Sequence, residues 1–264
     1  MKNNRGYRIS PLSFNRWAVR ASASVTREKN TIHGLAEIDI TIPRRLIREH
    51  FDRTGEKLSF TAYIVACLAQ VMKEFLQFNS FIKGRNLVLL DNVTISVLVE
   101  RDIDGEKVPE PIGIQQAQTK SFLEMHKEIR EAKSTASNRL GTLSGMEWFR
   151  FIPSSLLKAF IRIADKNIKL GMRYGKVAVT AVGMFSKEAV WFIPHGSATV
   201  LISIGSISNK VVEVDGKFVS REHLCITASF DHDIVDGAPA ARFLSRFAET
   251  IKSGEILQKE LGNN

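Results

Sequence analysis

The sequence predicts one α/β or α+β domain built on a mixed β-sheet flanked by helices. Three observations carry this. Helix-period and strand-period segments interleave along the chain. Strand-like runs crowd the last third, around a strong hairpin signal at Asp215-Gly216. No internal repeat, low-complexity tract or linker composition divides the 264 residues, so residues 1–264 read as a single unit with ample length for a buried core.

Residues 11–29 read as a helix, with Ser13 as cap and Trp17, Ala18, Ala21 and Val25 on its apolar face. Residues 34–42, GLAEIDITI, alternate apolar and polar and predict a strand. Pro43 opens a charged helix that runs to about Arg53 and ends at Thr54-Gly55. Residues 59–77 predict a buried helix with Ser59 as N-cap. Residues 87–99 are strand-rich, while Asp104-Gly105, Pro109 and Pro111 read as turns. Residues 119–136 predict an amphipathic helix carrying Phe122, Leu123, His126 and Ile129 at helical spacing. Residues 137–152 are the least patterned, and a helix follows near Ser154–Ile168. Strands are then predicted over 177–185, 198–207, 211–219 and 223–231, and a last helix over 238–252.

Composition narrows the function classes. Hydrophobic residues make up 44% and charged residues 25%, as in a soluble globular protein. The N-terminal stretch is basic but lacks an apolar signal core. The longest apolar stretch, around 58–76, is interrupted by Thr61, Gln70, Lys73 and Glu74, which fits a core helix and not a membrane span. Cys67 and Cys225 sit inside apolar runs, the pattern of reduced core thiols in a cytoplasmic protein. The six histidines lack metal-ligand spacing, so no metal is expected, and His195 reads as a loop residue. The net charge is +9, but no basic helix or basic-aromatic motif concentrates it. That argues against nucleic acid and leaves a solvated basic surface, or attraction for a phosphorylated cofactor.

The chemistry-bearing stretch is SFDHDIVDGAPAARFL, residues 229–244. The apolar positions Leu224, Ile226, Ala228 and Phe230 alternate, so the strand delivers His232 to its end. Asp231 and Asp233 flank His232, and Asp236 lies four residues on. Gly237 permits a tight turn, and Ala238–Leu244 begins a helix. A rigid strand–turn–helix can hold an imidazole in one orientation, as a general base requires. The plainer alternatives are a polar turn that happens to contain a histidine, and Asp236 as a helix N-cap.

The pattern D-H-x-x-x-D-G-A-x-A-A-x-F-L resembles the active-site motif of the acyltransferase components of 2-oxo acid dehydrogenase complexes, whose catalytic domain is related to chloramphenicol acetyltransferase. Four more segments, in the family's order, share the resemblance: PLSFNRW (11–17), SFTAYIVACLAQVMKEFLQFNSFI (59–82), SFLEMHKEI (121–129) and GKVAVTAVGMF (175–185). The resemblance implies a two-layer chloramphenicol acetyltransferase-like sandwich, with coenzyme A or acyl-CoA as substrate. His232 would be the general base, Thr180 the oxyanion donor and Asp236 the motif's second acidic position. Arg16 would pair with that aspartate, and Gly237 would support the turn. The resemblance also implies a homotrimer, or an assembly of trimers, with each active site between subunits. It implies no metal and no membrane or nucleic-acid partner.

Three positions depart from the family pattern: Asp233 stands where Arg is usual, Trp17 where Lys is usual, and Glu110 where an apolar residue is usual. No lipoyl or partner-binding domain is expected on this chain, and therefore no covalently bound lipoate; the lipoyl-bearing protein would act in trans. The alternatives are a small-molecule O-acetyltransferase and a non-catalytic core subunit of such a complex.

Overall fold

The structure is a computed structural model that describes residues 7–10, 12, 14–103, 106–134, 154–183, 186 and 188–262. The elements run α1 (Phe14–Thr26), β1 (Thr31–Asp39), α2 (Thr41–Thr54), α3 (Phe60–Met72), β2 (Ser80–Lys83), β3 (Asn86–Leu89), β4 (Ile95–Ile103), β5 (Glu106–Ile114), α4 (Phe122–Ser134), α5 (Ser154–Asp165), α6 (Ile168–Tyr174), β6 (Val177–Ala181), β7 (Val200–Val214), β8 (Lys217–Asp231), α7 (Gly237–Ser253) and α8 (Glu255–Leu261). Six strands form one mixed sheet in the order β1-β8-β7-β6-β4-β5, and β2-β3 pair separately. The pairings β4–β6 and β6–β7 are parallel; the others are antiparallel.

The predicted mixed sheet flanked by helices is the observed architecture, and alternation explains its core. Val177 and Val179 of β6, Val200, Ile202 and Ile204 of β7, and Leu224, Ile226, Ala228 and Phe230 of β8 face one side. There they pack with α3 and with Phe243, Phe247 and Ile251 of α7. Fully burying one such side chain stabilises by roughly 1.5–3 kcal/mol. The central helix α3 begins as its sequence predicts: Ser59 Oγ accepts the Ala62 N–H at 3.3 Å. The helix before it ends at Gly55, which takes φ 73° and donates its N–H to the Phe51 carbonyl. Both Cys67 and Cys225 are buried free thiols.

The hairpin signal is correct and longer than expected. Asp215 and Gly216 both take positive φ, 51° and 74°, the requirement of a two-residue type I′ turn. The two runs predicted over 198–207 and 211–219 are not separate strands, because β7 is continuous from 200 to 214. Its polar middle, Ser208-Asn209-Lys210, marks where the strand leaves the buried sheet and continues as a solvent-exposed ribbon.

Other expectations need correction. Pro109 and Pro111 do not make turns but lie in β5, opposite Glu100 and Leu98. This strand is at the sheet edge, where residues two apart turn the same backbone edge outward and a missing N–H costs little. The helix predicted from 154 to 168 is two helices: Asn167 caps α6 by accepting the Leu170 N–H. The last helix expected over 238–252 is α7, which ends before Gly254 at φ 69°; the short α8 beyond it was not expected. Leu123 is 36% exposed, so the buried face of α4 is Phe122, Met125, His126 and Ile129. The predicted cap Ser13, the Asp104-Gly105 turn and the 137–152 segment lie outside the described residues. Among the described residues, no helix is long and apolar enough to cross a membrane.

His126 ties α4 to the start of α3. Its Nδ1 accepts the Ser59 N–H at 3.1 Å, and its side chain is 6% exposed. Burial holds the imidazole below its ordinary value of 6.5, helped by the charges of Arg130 and His50 and opposed by Glu56. The unfolded chain therefore binds the proton more readily, and stability should fall as pH drops through about 6.5. Thermal unfolding between neutral and mildly acidic pH checks this. His126→Gln, which keeps an acceptor but no titration, should show a smaller acid-induced drop in Tm.

Candidate active site

Strand β8 delivers the candidate base as its alternation predicts. Phe230 is core, Asp231 is buried at 6% exposure, and His232 emerges with a side chain 43% exposed. The chain then turns: Ile234 and Val235 N–H groups both donate to the Asp231 carbonyl, and the buried Val235 anchors the far side. Asp231 Oδ1 accepts the Asp233 N–H at 3.3 Å, closing a side-chain turn across His232. His232 N–H donates to the Asn30 carbonyl at 2.6 Å, so the residue stays tied to the sheet edge.

Asp236 Oδ1 lies 3.7 Å from His232 Nδ1. This is an electrostatic contact longer than a hydrogen bond. It favours the tautomer with the proton on Nδ1 and leaves the Nε2 lone pair free to take a proton from a substrate. The Asp236 side chain is 85% exposed and makes no capping bond to α7, although the residue occupies the N-cap position. The expected pair between Arg16 and Asp236 is not a buried one: both residues are exposed, and Asp236 lies against His232. Gly237 opens α7 without a positive φ, and an added Cβ would meet nothing within 4 Å, so neither a tight turn nor close packing requires it here.

Thr180 lies on β6 between the core residues Val179 and Ala181, half-buried and pointing to the face opposite the helices. In register it pairs with Ser203 of β7, which pairs with Thr227 of β8. Three hydroxyl residues thus form a row across three strands. Ser203 Oγ and Thr227 Oγ1 are buried without a hydrogen-bond partner among the described residues. Thr180 and His232 do not meet. Val177, Val200 and Phe230 share one row; Thr180 stands three residues to one side of it and His232 two to the other. Five steps along the strands and two strands across give a backbone separation of about 19 Å.

Two functional neighbours escaped the sequence reading. Lys29 Nζ lies 2.9 Å from Asp231 Oδ2, with side chains 19% and 7% exposed. Asn30 Nδ2 donates to Asp233 Oδ1 at 2.9 Å. Asp233, the charge-reversed position of the motif, is therefore engaged by a neighbour over 200 residues away in sequence. Trp17, another departure, packs with Ala21, Leu157 and Ile161 where α1 meets α5. Among the described residues, no group of three or more His, Cys, Asp or Glu is arranged to hold a metal ion.

The chain matches the family model for the catalytic domain of 2-oxoacid dehydrogenases acyltransferase over residues 19–148 and 162–258. It is 28% identical over 208 residues to the dihydrolipoyllysine-residue acetyltransferase component of the pyruvate dehydrogenase complex of Mycoplasma pneumoniae, covering 78% of this chain and 44% of that protein. It is 24% identical over 250 residues to the succinyltransferase component of the 2-oxoglutarate dehydrogenase complex of Staphylococcus epidermidis, covering 92% and 52%. The chain thus spans about half the length of these curated relatives. Among solved structures, a probable dihydrolipoamide acetyltransferase from Listeria monocytogenes superposes with a TM-score of 0.69 at 23% identity, over 94% of this chain and 95% of that one. The cubic core of a pyruvate dehydrogenase multienzyme complex gives the same TM-score at 19% identity, over 97% of each chain. With its motif histidine exposed at the end of a core strand of this fold, the chain belongs to the family of 2-oxoacid dehydrogenase acyltransferase catalytic domains.

Proposed function

We propose that this domain transfers an acyl group between coenzyme A and a lipoamide-type thiol, at a site completed between two subunits of a trimer, in a reducing cytoplasmic compartment. The observation that carries the shared site is the register of the sheet, which puts the Thr180 and His232 backbones about 19 Å apart. One chain presents a base at one end of β8 and a hydroxyl well inside β6, too far apart to act on one carbonyl. A neighbouring copy that brings its Thr180 to this His232 removes the difficulty. The acyltransferase relatives support the chemistry, the cubic core among the structural neighbours supports the assembly, and the buried free thiols fit the compartment.

In this reading, His232 Nε2 takes the proton from the acceptor thiol. The thiolate attacks the thioester carbonyl of acyl-CoA, and the electron pair moves to oxygen. The Thr180 hydroxyl donates a hydrogen bond to that oxyanion. Collapse of the intermediate expels the CoA thiolate, which takes the proton back from His232. Asp236, beside Nδ1, favours the imidazolium formed midway.

His232→Ala should lose about 10²–10⁴-fold in turnover, as for a deleted general base. Thr180→Ala should lose about 10²–10³-fold, as for one oxyanion donor. Release of free CoA thiol from acetyl-CoA with dihydrolipoamide as acceptor measures both. When the two inactive variants are dissociated, mixed and reassembled, activity should rise above either parent. A strictly monomeric active enzyme, or mixed trimers as inactive as their parents, would overturn the shared site.

Two smaller outcomes follow from the same reading. Calorimetric titration should find that CoA binds and that binding weakens with added salt, since exposed charges are screened beyond about 8 Å at physiological ionic strength. Because Asp236 is exposed, Asp236→Ala should move folding stability by no more than about 0.5 kcal/mol while lowering activity, which denaturant unfolding and the thiol assay separate.

A further inference from the structure

His232 is held from the short connection between α1 and β1. Lys29 Nζ contacts Asp231 Oδ2 at 2.9 Å and donates to the Ser197 carbonyl at 2.6 Å. Asn30, the next residue, accepts the His232 N–H on its carbonyl at 2.6 Å and donates through its side-chain amide to Asp233 Oδ1 at 2.9 Å. Two adjacent residues therefore grip three consecutive residues of the turn, with His232 at the vertex.

The charges around the imidazole are unbalanced without this grip. Asp231, Asp233 and Asp236 all belong to its own turn. Asp233 and Asp236 are exposed, so water screens them. Asp231 is buried, so its charge acts at longer range and with more force. The cation in contact with it is Lys29. Behind them, the buried Lys176 is held by Asp165 Oδ1 at 2.7 Å and also feels the charges of Asp231 and Lys29. The Lys176 carbonyl accepts the Thr199 N–H, and the Thr199 carbonyl accepts the Asp231 N–H, so these charges sit on one connected framework.

We propose that Lys29 and Asn30 are positioning residues for His232: Lys29 supplies the positive charge against Asp231, and Asn30 fixes the turn from which the ring projects. The catalytic consequence rests on the acyl-transfer reading, but the clamp itself can be tested without it. The reaction of diethyl pyrocarbonate with neutral imidazole reports the titration of His232, read residue by residue by peptide mass spectrometry on the intact domain. Lys29→Met removes the cation in contact with Asp231, leaving the more distant Lys176, and should shift the His232 midpoint upward by up to about one pH unit. Lys29→Arg should restore it. Asp231→Asn keeps an acceptor for the Asp233 N–H while leaving Lys29 unopposed, and should shift the midpoint downward.

This opposite shift keeps the test decisive if Lys29→Met fails to fold. In the thiol-release assay near neutral pH, folded Lys29→Met should lower kcat with KM for acyl-CoA unchanged, and the loss should shrink as pH rises. Asn30→Ala should also lower kcat, with KM unchanged. A structural pair alone would change Tm and leave the midpoints where they are. Unchanged midpoints in folded Lys29→Met and Asp231→Asn would overturn the proposal. A wild-type domain that transfers no acyl group, yet shows both shifts, would overturn the acyl-transfer reading and leave the clamp standing.

Discussion

The position of every candidate group depends on the register of β8. This strand lies between β1 and β7 and is buried from Leu224 to Asp231. Because side chains alternate, a slip of one residue would turn Leu224, Ile226, Ala228 and Phe230 away from α3 and α7 and put Cys225, Thr227 and Ser229 against them. At roughly 1.5–3 kcal/mol for each large apolar side chain, that exchange outweighs any gain at the turn. The register is set at the far end, where Asp215-Gly216 allows only a two-residue connection with both residues at positive φ. A bulge between Ile204 and Ile207 then adjusts the pairing before the core begins. One tight turn thus decides which residue stands at the end of β8, and the residue there is His232.

Features encoded by adjacent residues were legible. The Ser59 cap, the Gly55 stop, the hairpin turn and the alternation leading to His232 each depend on local rules, and each is where the sequence puts it. Features set by the sheet as a whole were not. Pro109 and Pro111 look like turn residues until β5 proves to be an edge strand. The end of α5 depends on a single residue, Asn167, within a run whose apolar period continues, and the short α8 after Gly254 was not expected. Lys29 and Asn30 carried no signal at all, since a lysine and an asparagine after a helix are ordinary. Their meaning arises only when β1 pairs with β8 and brings them against residues 231–233.

The same long-range contact explains an irregularity of the motif. An aspartate beside a base raises the cost of keeping that base neutral, so Asp233 looks unfavourable in the sequence. In the fold its carboxylate points to Asn30 and to solvent, away from the sheet, where its field is weak. Asp231, whose type is ordinary for the motif, is the buried one of the three and has Lys29 in contact with it. Burial and partner, more than the identity of the side chain, decide how much each of the three carboxylates matters.

The second face of the sheet departs from the usual economy of a core. Ser203 and Thr227 are each 1% exposed, yet their hydroxyls have no partner among the described residues. Leaving a buried hydroxyl unpaired costs about 1–3 kcal/mol, and a valine in either place would pack as well on a β-strand. Local rules broken without compensation tend to mark functional surfaces. Both hydroxyls share a register row with Thr180, on the face opposite the apolar row that packs against α3 and α7. A polar row beneath Thr180 suits a face that meets a reacting carbonyl and a neighbouring subunit better than one that meets hydrocarbon. The histidine is exposed at one end of the sheet, and the hydroxyl row lies buried on the face away from α3 and α7. The shared-site proposal joins them: it is the reading in which an unpaired hydroxyl row and an exposed histidine, far apart in one chain, serve one reaction.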